Sequence, residues 1–427
     1  MSSNVEQAAE SRAQKVIEAG PTHVFRLEHN KENPLGQTIV AGVRDRGPAG
    51  CLAPVIDELA DRGYKVVLVA DNPAEGFLKK RYEQDSYRQN GFRLELVRDE
   101  TGKEIDPLLA IAATRPALIL SGVSLTGNPA TELYLTKTGE GQIPSIWVED
   151  YWGVATGAWA NDSGQMKITS FNLQPDVICA FDQKSKVIDL ERLKKAGREI
   201  NEDSIIVTGS PVFDEIVRQN NEAINKRVRE TLSVDNQDLL VTYVGGAPPL
   251  DLSILKTTVE SINQINNHGR HLKFIARIHP SIFGSGDLSR YKSDYEKILG
   301  LVTSAQVVST ADKDLSTEEL ATASNVVVSP YSTVGIRKVF EGGFALFMLF
   351  PTVRRDLENA TGLSNLPVVE SGASLAARKS NDVRKMLEDL LFDGNLRAKL
   401  NEAQRNYHRL DGQNTARVVQ QIEKLLS

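Results

Sequence analysis

The residues best suited to chemistry lie in the segment from Asn325 to Gly343, which reads NVVVSPYSTVGIRKVFEGG. Its apolar start predicts a buried strand, its polar middle a tight turn, and the helical spacing of its later apolar residues a helix. The hydroxyl of Ser332 or Thr333 can cap that helix. Together with the free amides of the first turn, these hydroxyls suit a bound diphosphate. The alternative is an ordinary strand–turn–helix joint with a hydroxyl cap.

A second candidate is the charged loop from Gly42 to Gly47, which follows the first predicted strand and precedes a helix. The guanidinium groups of Arg44 and Arg46 can each hold a phosphate or carboxylate through two hydrogen bonds. Asp45, between them, is a candidate base. The loop lacks the GxGxxG spacing, so it does not meet the dinucleotide fingerprint. The alternative is a solvated charged loop.

A third candidate is the run from Glu149 to Gly153, directly after another predicted strand. Asp150 is placed to deprotonate an acceptor hydroxyl. The rings of Tyr151 and Trp152 are of the type that stacks on a sugar. The alternative is a surface loop with an aromatic anchor in the domain interface.

Two further motifs lie in the second half of the chain. Gly245 and Gly246 follow a predicted strand, and glycine lets a ligand approach the backbone closely. Arg277 and His279 alternate along the next strand, so their side chains point the same way and suit a diphosphate. A lone histidine is more often a packed side chain, but the neighbouring arginine favours a functional role.

Composition narrows the class of protein. A chain of 427 residues predicts two domains, and a net charge of −6 argues against a nucleic-acid partner. The two cysteines form no CxxC pair, and the histidines show no metal-binding spacing, so a metal site is not expected. The N-terminus does not resemble a secretory signal, and the longest apolar run, Phe344 to Phe350, is far shorter than a membrane helix. We expect a cytoplasmic location, with a peripheral membrane contact left open.

Strand and helix patterns alternate in both halves of the chain, which predicts two α/β domains with parallel sheets. The start of the chain predicts a polar helical arm and then an irregular lead-in holding His23 and His29. We expect a polar N-terminal arm (residues 1–35), a Rossmann-like domain (36–213) and a charged helical hinge (214–236). A second Rossmann-like domain (237–410) and a terminal helix (411–427) that packs back on the first domain complete the expected organisation.

A succession of short motifs adds a resemblance. These motifs are Thr208–Val212, Arg277–Pro280, Leu315–Leu320, Ser332–Thr333, Gly343 and Asp411–Gly412. Their order over most of residues 36–427 resembles GT-B fold glycosyltransferases. It resembles in particular the lipid-A-disaccharide synthase, UDP-N-acetylglucosamine 2-epimerase and CDP-glycerol glycerophosphotransferase groups.

The resemblance implies two facing Rossmann-like domains with a cleft between them. The nucleotide donor would bind the second domain and the acceptor the first. It also implies that no metal or other cofactor is needed, since amides, hydroxyls and basic residues take the diphosphate charge. The donor-binding residues implied in this way are Gly245, Gly246, Ser332 and Thr333, with Arg277 and His279 near them.

The chain departs from the family pattern at Arg337. Many members carry there, one helical turn after the serine pair, a Glu that binds the ribose hydroxyls. Glu341 lies a further turn along the helix. Either the donor carries an additional anionic group for Arg337, or the site is altered. The pair Arg337–Lys338 also replaces the acidic pair expected of a 2-epimerase.

The expected function is that of a glycosyltransferase that moves a sugar from a nucleotide-diphosphate sugar to the hydroxyl of a glycan or lipid-linked acceptor, in polysaccharide synthesis. Asp150 or Asp45 would be the base, and Arg277, His279 and the hydroxyl pair would stabilise the departing diphosphate. The alternatives are a 2-epimerase-like isomerase, a glycerophosphotransferase-like enzyme and a non-catalytic nucleotide-binding relative.

Overall fold

The computed structural model describes residues 23–29, 36–71, 73–97, 113–123, 135–136, 139, 141–156, 174–195, 197–198, 201–235, 237–246, 250–267, 272–278, 282, 287–302, 307–308, 315–407 and 410–427. The chain divides into two compact units. Unit 1 comprises Met1–Glu215, Asn359–Gly362 and Asp411–Ser427, and unit 2 comprises Ile216–Glu358 and Leu363–Leu410. No helix in the described ranges is long and apolar enough to cross a membrane.

The strands of unit 1 form one sheet of eight. They are β1 (His23–Glu28), β2 (Thr38–Val43), β3 (Lys65–Ala70), β4 (Arg93–Leu96), β5 (Leu118–Gly122), β6 (Ser145–Val148), β7 (Val177–Ala180) and β8 (Ile205–Val207). Their order in the sheet is β4-β1-β3-β2-β5-β6-β7-β8. The six strands from β3 to β8 along this order are parallel, whereas β1 runs antiparallel to both β3 and β4.

The strands of unit 2 form a second sheet, which is parallel throughout. They are β9 (Leu239–Val244), β10 (Leu272–Arg277), β11 (Val307–Val308), β12 (Val326–Ser329), β13 (Phe344–Met348) and β14 (Leu375–Ala377). Their order is β11-β10-β9-β12-β13-β14, which is the strand order of a doubly wound Rossmann sheet. Most residues of the central strands are buried, as expected when helices cover both faces of a parallel sheet.

The α-helices of the described ranges follow in chain order. They are α1 (Arg46–Asp61), α2 (Ala74–Tyr82), α3 (Asp85–Gln89), α4 (Gln183–Lys195), α5 (Asp214–Arg218), α6 (Asn221–Thr231), α7 (Leu250–Asn267), α8 (Lys292–Leu299), α9 (Thr317–Ala323), α10 (Thr333–Phe340), α11 (Pro351–Thr361), α12 (Pro367–Glu370), α13 (Ser380–Phe392), α14 (Gly394–Tyr407) and α15 (Asn414–Leu426).

Each unit has an apolar core of its own. In unit 1, Leu52 and Ile56 of α1 pack with Val418 and Ile422 of α15 in one buried cluster. The prediction that the terminal helix packs on the first domain is therefore confirmed. In unit 2, Val228 of α6 packs in a second cluster with residues of β9, β10 and α9.

The N-terminal lead-in differs from the prediction. His23–Glu28 is a strand, not an irregular segment, and it pairs with β3 and β4 in the sheet of unit 1. The apolar residues Val24, Phe25 and Leu27 of this strand are buried, whereas the segment reads as weakly periodic because charged residues interrupt it. The segment forms a strand because it pairs with β3, a contact that the local sequence pattern does not reveal. Most of the predicted helical arm lies outside the described residues.

Candidate active site

The strand order of unit 2 places a ligand-binding edge between β9 and β12. These strands are neighbours, and the chain leaves them in opposite directions along the sheet, so a crevice opens at their carboxyl ends. Gly245 and Gly246 follow β9, and Ser332 follows β12. A Cβ atom on Gly246 would lie 3.7 Å from the Pro330 ring, so the two turns are close together.

Ser332 is the N-cap of α10. Its Oγ accepts a hydrogen bond from the Val334 amide at 3.1 Å, and its own amide donates to Ser329 Oγ at 3.2 Å. Thr333 is the first helical residue, and its side chain is half-buried. Within the described ranges the Thr333 amide and hydroxyl have no hydrogen-bond partner. The positive end of α10 thus offers one amide and hydroxyl that are open to an anion.

The glycine turn after β9 has a different role from the predicted one. The Gly245 amide donates to the Arg277 carbonyl at 2.9 Å, and the Gly246 amide donates to Asp251 Oδ1 at 2.7 Å. Both amides are therefore occupied by the protein itself. The buried Asp251 carboxylate also accepts hydrogen bonds from the hydroxyls of Tyr243 and Tyr295, which fixes the turn against α7 and α8. Donation from these two amides to a phosphate would require each to give up an acceptor that it already has within unit 2.

Arg277, at the end of β10, also makes an internal contact. Its Nη2 donates to the Leu315 carbonyl at 2.5 Å, and its Nε donates to Thr317 Oγ1 at 3.4 Å. These bonds hold the segment that begins α9. The side chain is only partly buried, and it lies at the carboxyl end of a strand beside β9. The predicted partner, His279, lies outside the described residues.

Arg337 does not lie with the hydroxyl pair. Its Nε donates to Glu341 Oε1 at 2.9 Å and its Nη2 donates to Gln219 Oε1 at 2.5 Å. The side chains of Arg337 and Glu341 are 6% and 3% exposed. The guanidinium is held in a buried ion pair, which favours the alternative that the site is altered over a contact with an anionic group of the donor. Glu341 likewise faces Arg337 and Thr322 and not the crevice.

Unit 1 has a corresponding edge between β2 and β5. The loop with Arg44, Asp45 and Arg46 follows β2, and Asp45 is the N-cap residue of α1 although its side chain makes no capping bond. Arg46 is exposed at the start of the helix, and its guanidinium lies 5.8 Å from the centre of the Phe77 ring. Asp150 follows β6 and reaches the same edge. A Cβ atom on Gly47 would collide with the Asp150 carboxylate, so this glycine lets the carboxylate approach the first turn of α1.

The Asp150 carboxyl lies in surroundings that disfavour its charged form. Burial, and then the charge of Asp45, raise its pKa from 3.8 to about 7. Its Oδ1 atom is buried and has no hydrogen-bond partner within the described residues. A carboxyl that titrates near neutrality is matched to proton transfer at physiological pH. The structure thus brings together the two aspartates predicted independently from the loops after β2 and β6.

Glu149 is directed away from Asp150 and into the protein. It accepts hydrogen bonds from the Ala155 amide at 2.8 Å and from Ser185 Oγ at 2.5 Å, and it is fully buried. Burial and the neighbouring Asp189 carboxyl raise the pKa of Glu149 well above its usual value. Burial also raises the pKa of Asp189 to about 7. This buried carboxyl pair anchors the segment from Glu149 to Thr156, which carries Asp150.

The predicted sugar-stacking role of Tyr151 and Trp152 is wrong in this structure. Both rings are buried, and the Trp152 ring packs against Phe181 with their centres 4.6 Å apart. The indole nitrogen donates to Asp182 Oδ2 at 2.6 Å. These aromatic residues anchor the loop, which was the alternative interpretation, although the anchor is internal to unit 1.

Sequence reasoning missed Asp189 and Asp251. Asp189 lies within the polar helix α4, and Asp251 lies in the first turn of α7. Both are buried carboxylates that a helical pattern would place at the surface. Asp189 accepts a hydrogen bond from Thr156, 33 residues earlier in the chain. Asp251 accepts from Gly246, five residues earlier, but also from the distant Tyr295, and its sequence position alone does not reveal the burial that these contacts accompany.

Two Rossmann-like units of this kind, with a terminal helix returning to the first, define the GT-B fold. Solved structures with that fold match the chain over most of its length. UDP-GlcNAc 2-epimerase from Neisseria meningitidis, bound to UDP-GlcNAc, is 14% identical with a TM-score of 0.65, covering 91% of this chain and 100% of the epimerase.

Two transferases of the same fold are also similar. A glycosyltransferase from Rickettsia africae is 12% identical with a TM-score of 0.56, covering 92% of this chain and 99% of its own. The wall teichoic acid polymerase TagF is 15% identical with a TM-score of 0.51, covering 92% of this chain and 90% of its own. At these identities the likeness establishes the GT-B fold, within which both epimerases and transferases occur.

No protein-family model matches the chain, and no curated protein sequence matches it.

Proposed function

We propose that the protein is a GT-B glycosyltransferase that uses a nucleotide-diphosphate sugar. The observation that carries the proposal is the open start of α10, where Ser332 and Thr333 stand at the switch point of the unit 2 sheet. Helix N-termini at such points bind phosphate groups. Among the structural neighbours, the Neisseria meningitidis epimerase is bound to UDP-GlcNAc, and the epimerase from Methanocaldococcus jannaschii is in complex with UDP-GlcNAc and UDP.

In the proposed reaction Asp150 accepts the proton of an acceptor hydroxyl. The acceptor oxygen then bonds to the anomeric carbon of the sugar, and the bond from that carbon to the diphosphate oxygen breaks. The departing diphosphate takes the bonding electrons, and the Thr333 amide and the two hydroxyls stabilise its charge. We assign Arg277 and His279 a supporting role, as the family resemblance implies. Positioned donors of this type commonly supply the largest catalytic contribution. The reaction as proposed requires no resident metal or cofactor.

The proposal includes an acceptor that is a glycan or a lipid-linked sugar, a place in polysaccharide synthesis and a cytoplasmic location. The two buried cysteines are both free thiols, which agrees with a reducing compartment.

Nucleotide binding is the first test. UDP, CDP, GDP and their sugars are screened for a rise in Tm, since a ligand that binds only the folded state at about 100 times its Kd adds roughly 2.7 kcal/mol of stability. The paired variant Ser332→Ala with Thr333→Ala should weaken binding of the active nucleotide at least about tenfold, as expected for loss of hydrogen bonds to a charged group.

Asn220→Ala is the matched control, because Asn220 caps α6 in the same unit through a bond to the Ala223 amide. Both changes remove an N-cap and should cost about 1 kcal/mol of stability, but only the first should alter nucleotide affinity. Unchanged nucleotide affinity in the Ser332 and Thr333 variant would show that the nucleotide binds elsewhere. If no nucleotide or nucleotide sugar raises the Tm, the proposed function is wrong.

A 2-epimerase-like isomerase is the second candidate, because a carboxyl with a pKa of about 7 also suits abstraction of a proton from carbon. Incubation with UDP-GlcNAc alone separates the two activities. An isomerase converts the sugar to its epimer without an acceptor, whereas the proposed transferase turns over only when an acceptor is added.

A further inference from the structure

A polar cavity of about 840 Å³ opens in unit 2 at the amino-terminal edge of its sheet. One wall is the polar face of α6, and the other is formed by Thr322 at the end of α9 and by Lys338, Gly342 and Gly343 at the end of α10. Ser332 stands at the opposite end of α10, after the carboxyl end of β12. The cavity is therefore distinct from the proposed nucleotide site.

Lys338 is the cation of this cavity. Its side chain is almost wholly buried at 6% exposure, and its Nζ donates to the Thr322 carbonyl at 3.1 Å. No other hydrogen bond of this ammonium exists within the described residues. An ammonium holds three donors, so two of them are left without a protein acceptor. Burial accordingly lowers the pKa of Lys338 to about 8.

The Glu341 carboxylate opposes the effect of burial on the pKa of Lys338 but accepts no hydrogen bond from its ammonium. Glu341 already accepts hydrogen bonds from Arg337, Gln219 and Thr322, and its charge is balanced by the Arg337 guanidinium. The other buried cation on the wall, Arg229, donates to the carbonyls of Asp235 and Asp238. The Lys338 ammonium thus keeps two donors without a protein acceptor, and the oxygens of an anion would accept from them. The residues that line the cavity also include the acidic Glu222, Glu230, Asp235 and Glu341.

Gly343 leaves room for the Lys338 side chain because it has no side chain of its own. A Cβ atom on Gly343 would overlap with the end of that side chain and lie 2.9 Å from Nζ. Glycine at this position therefore allows the lysine to cross the turn before β13 and present its ammonium to the cavity.

The opposite wall supplies neutral polar groups. Asn221 and Asn225 lie one turn apart on α6, and the Asn225 carboxamide has no hydrogen-bond partner within the described residues. Carboxamides both donate and accept hydrogen bonds, which matches hydroxyl groups, and Glu222 at the rim adds an acceptor. The cavity volume lies within the range of small-molecule sites.

We propose that this cavity binds a small polyhydroxylated anion, either a sugar phosphate or a sugar acid, with the anionic group on Lys338 and the hydroxyl groups on Asn221 and Asn225. This second site does not depend on the proposed transferase activity.

Isothermal titration of the whole protein with glucose 6-phosphate, gluconate, inorganic phosphate and glucose tests the proposal. Each titration is run with an excess of UDP, CDP and GDP together, so that the proposed nucleotide site is filled whichever base it prefers. Glucose 6-phosphate or gluconate should bind more tightly than phosphate or glucose, and whichever binds more tightly identifies the anionic group. Lys338→Met should weaken that binding more than about tenfold, because a charge-assisted hydrogen bond is lost.

Two further variants separate a binding role from a structural one. Gly343→Ala keeps the lysine but displaces it, so it should also weaken binding, whereas Lys256→Met on the exposed face of α7 should not. The proposal is overturned if none of the four compounds binds at millimolar concentration, if phosphate alone binds as tightly as the sugar anions, or if folded Lys338→Met protein binds as tightly as the native chain.

Discussion

Asp150 combines a buried position with a contact against the first turn of α1, and its proposed role as the base can be tested by one substitution. Asp150→Asn preserves the shape of the side chain but cannot accept a proton. If Asp150 is the base, the variant should lose about 10²–10⁴ in kcat while nucleotide affinity is unchanged. The measurement is a steady-state assay with the nucleotide sugar found by screening, and retained kcat would assign the base elsewhere.

The same carboxyl should shape the dependence of stability on pH. The pKa of Asp150 is about 7 in the folded protein and about 4 in an unfolded chain, so only the folded state holds the proton between these values. Stability therefore falls as pH rises from about 4 to about 7, by roughly 4 kcal/mol from this group.

Urea unfolding of unit 1 at a series of pH values checks this expectation. In Asp150→Asn the free energy of unfolding should decrease less between about pH 4 and about pH 7 than in the native chain. A part of the decrease should remain, because the pKa values of Glu149 and Asp189 are also raised. Asp45→Asn is the companion variant. Removal of the Asp45 charge should lower the pKa of Asp150, so the decrease in the free energy of unfolding should end at a lower pH. Identical slopes in native and Asp150→Asn proteins would show that Asp150 is not the titrating group.

The buried pair of Arg337 and Glu341 gives another prediction at this scale. Arg337→Met leaves the Glu341 carboxylate buried without its cation, which should cost about 3–5 kcal/mol. Adding Glu341→Gln should restore part of that loss, because the buried carboxylate that lost its arginine is then removed. Urea unfolding of unit 2 measures both, with Arg384→Met at the exposed Arg384–Glu388 pair as the control that should change little.

At the scale of the elements, α15 is attached by its first turn as well as by its apolar face. Asp214 Oδ1 and Oδ2 accept hydrogen bonds from the amides of Asn414 and Thr415 at 3.1 and 2.7 Å. Gly209, with a φ of +80°, leaves the space that the Asn414 side chain occupies. The carboxylate thus satisfies two amides that a helix start leaves unpaired.

Asp214→Ala should therefore loosen this end of α15 and cost roughly 2 kcal/mol. The expected signature is faster hydrogen exchange of the amides in the first two turns of α15. Asp411→Ala is the control, because Asp411 is exposed and its partner Arg417 also bonds to the Thr208 carbonyl. Equal exchange in the two variants would argue against an anchoring role for Asp214.

At the scale of the whole molecule, the chain folds as two units with separate cores. Ile422 of α15 is fully buried in unit 1, and Ile262 of α7 is fully buried in unit 2. Truncation of either to Ala should cost about 2–5 kcal/mol in its own unit. Hydrogen exchange resolved along the chain should show Ile422→Ala affecting unit 1 and Ile262→Ala affecting unit 2, whereas a uniform response would indicate a single cooperative unit.

Sequence alone determined the elements whose signal is local. The Val- and Ile-rich runs predicted β2, β9 and β12, and the hydroxyl pair predicted the start of α10, where Ser332 is the observed cap. Such features follow from side-chain periodicity and from the unpaired amides of a helix start, which depend on neighbours within a few residues.

Tertiary structure alone decided which polar groups remain available. The sequence predicts that Gly246 and Arg337 can bind a ligand. In the structure the Gly246 amide donates to the Asp251 carboxylate, and Arg337 forms an ion pair with Glu341. Asp150 acquired its high pKa from burial and from Asp45, more than a hundred residues earlier. The hydrogen-bond partners and pKa values of such groups depend on burial and on neighbours that the packing of the chain brings together. A local sequence pattern does not contain this information.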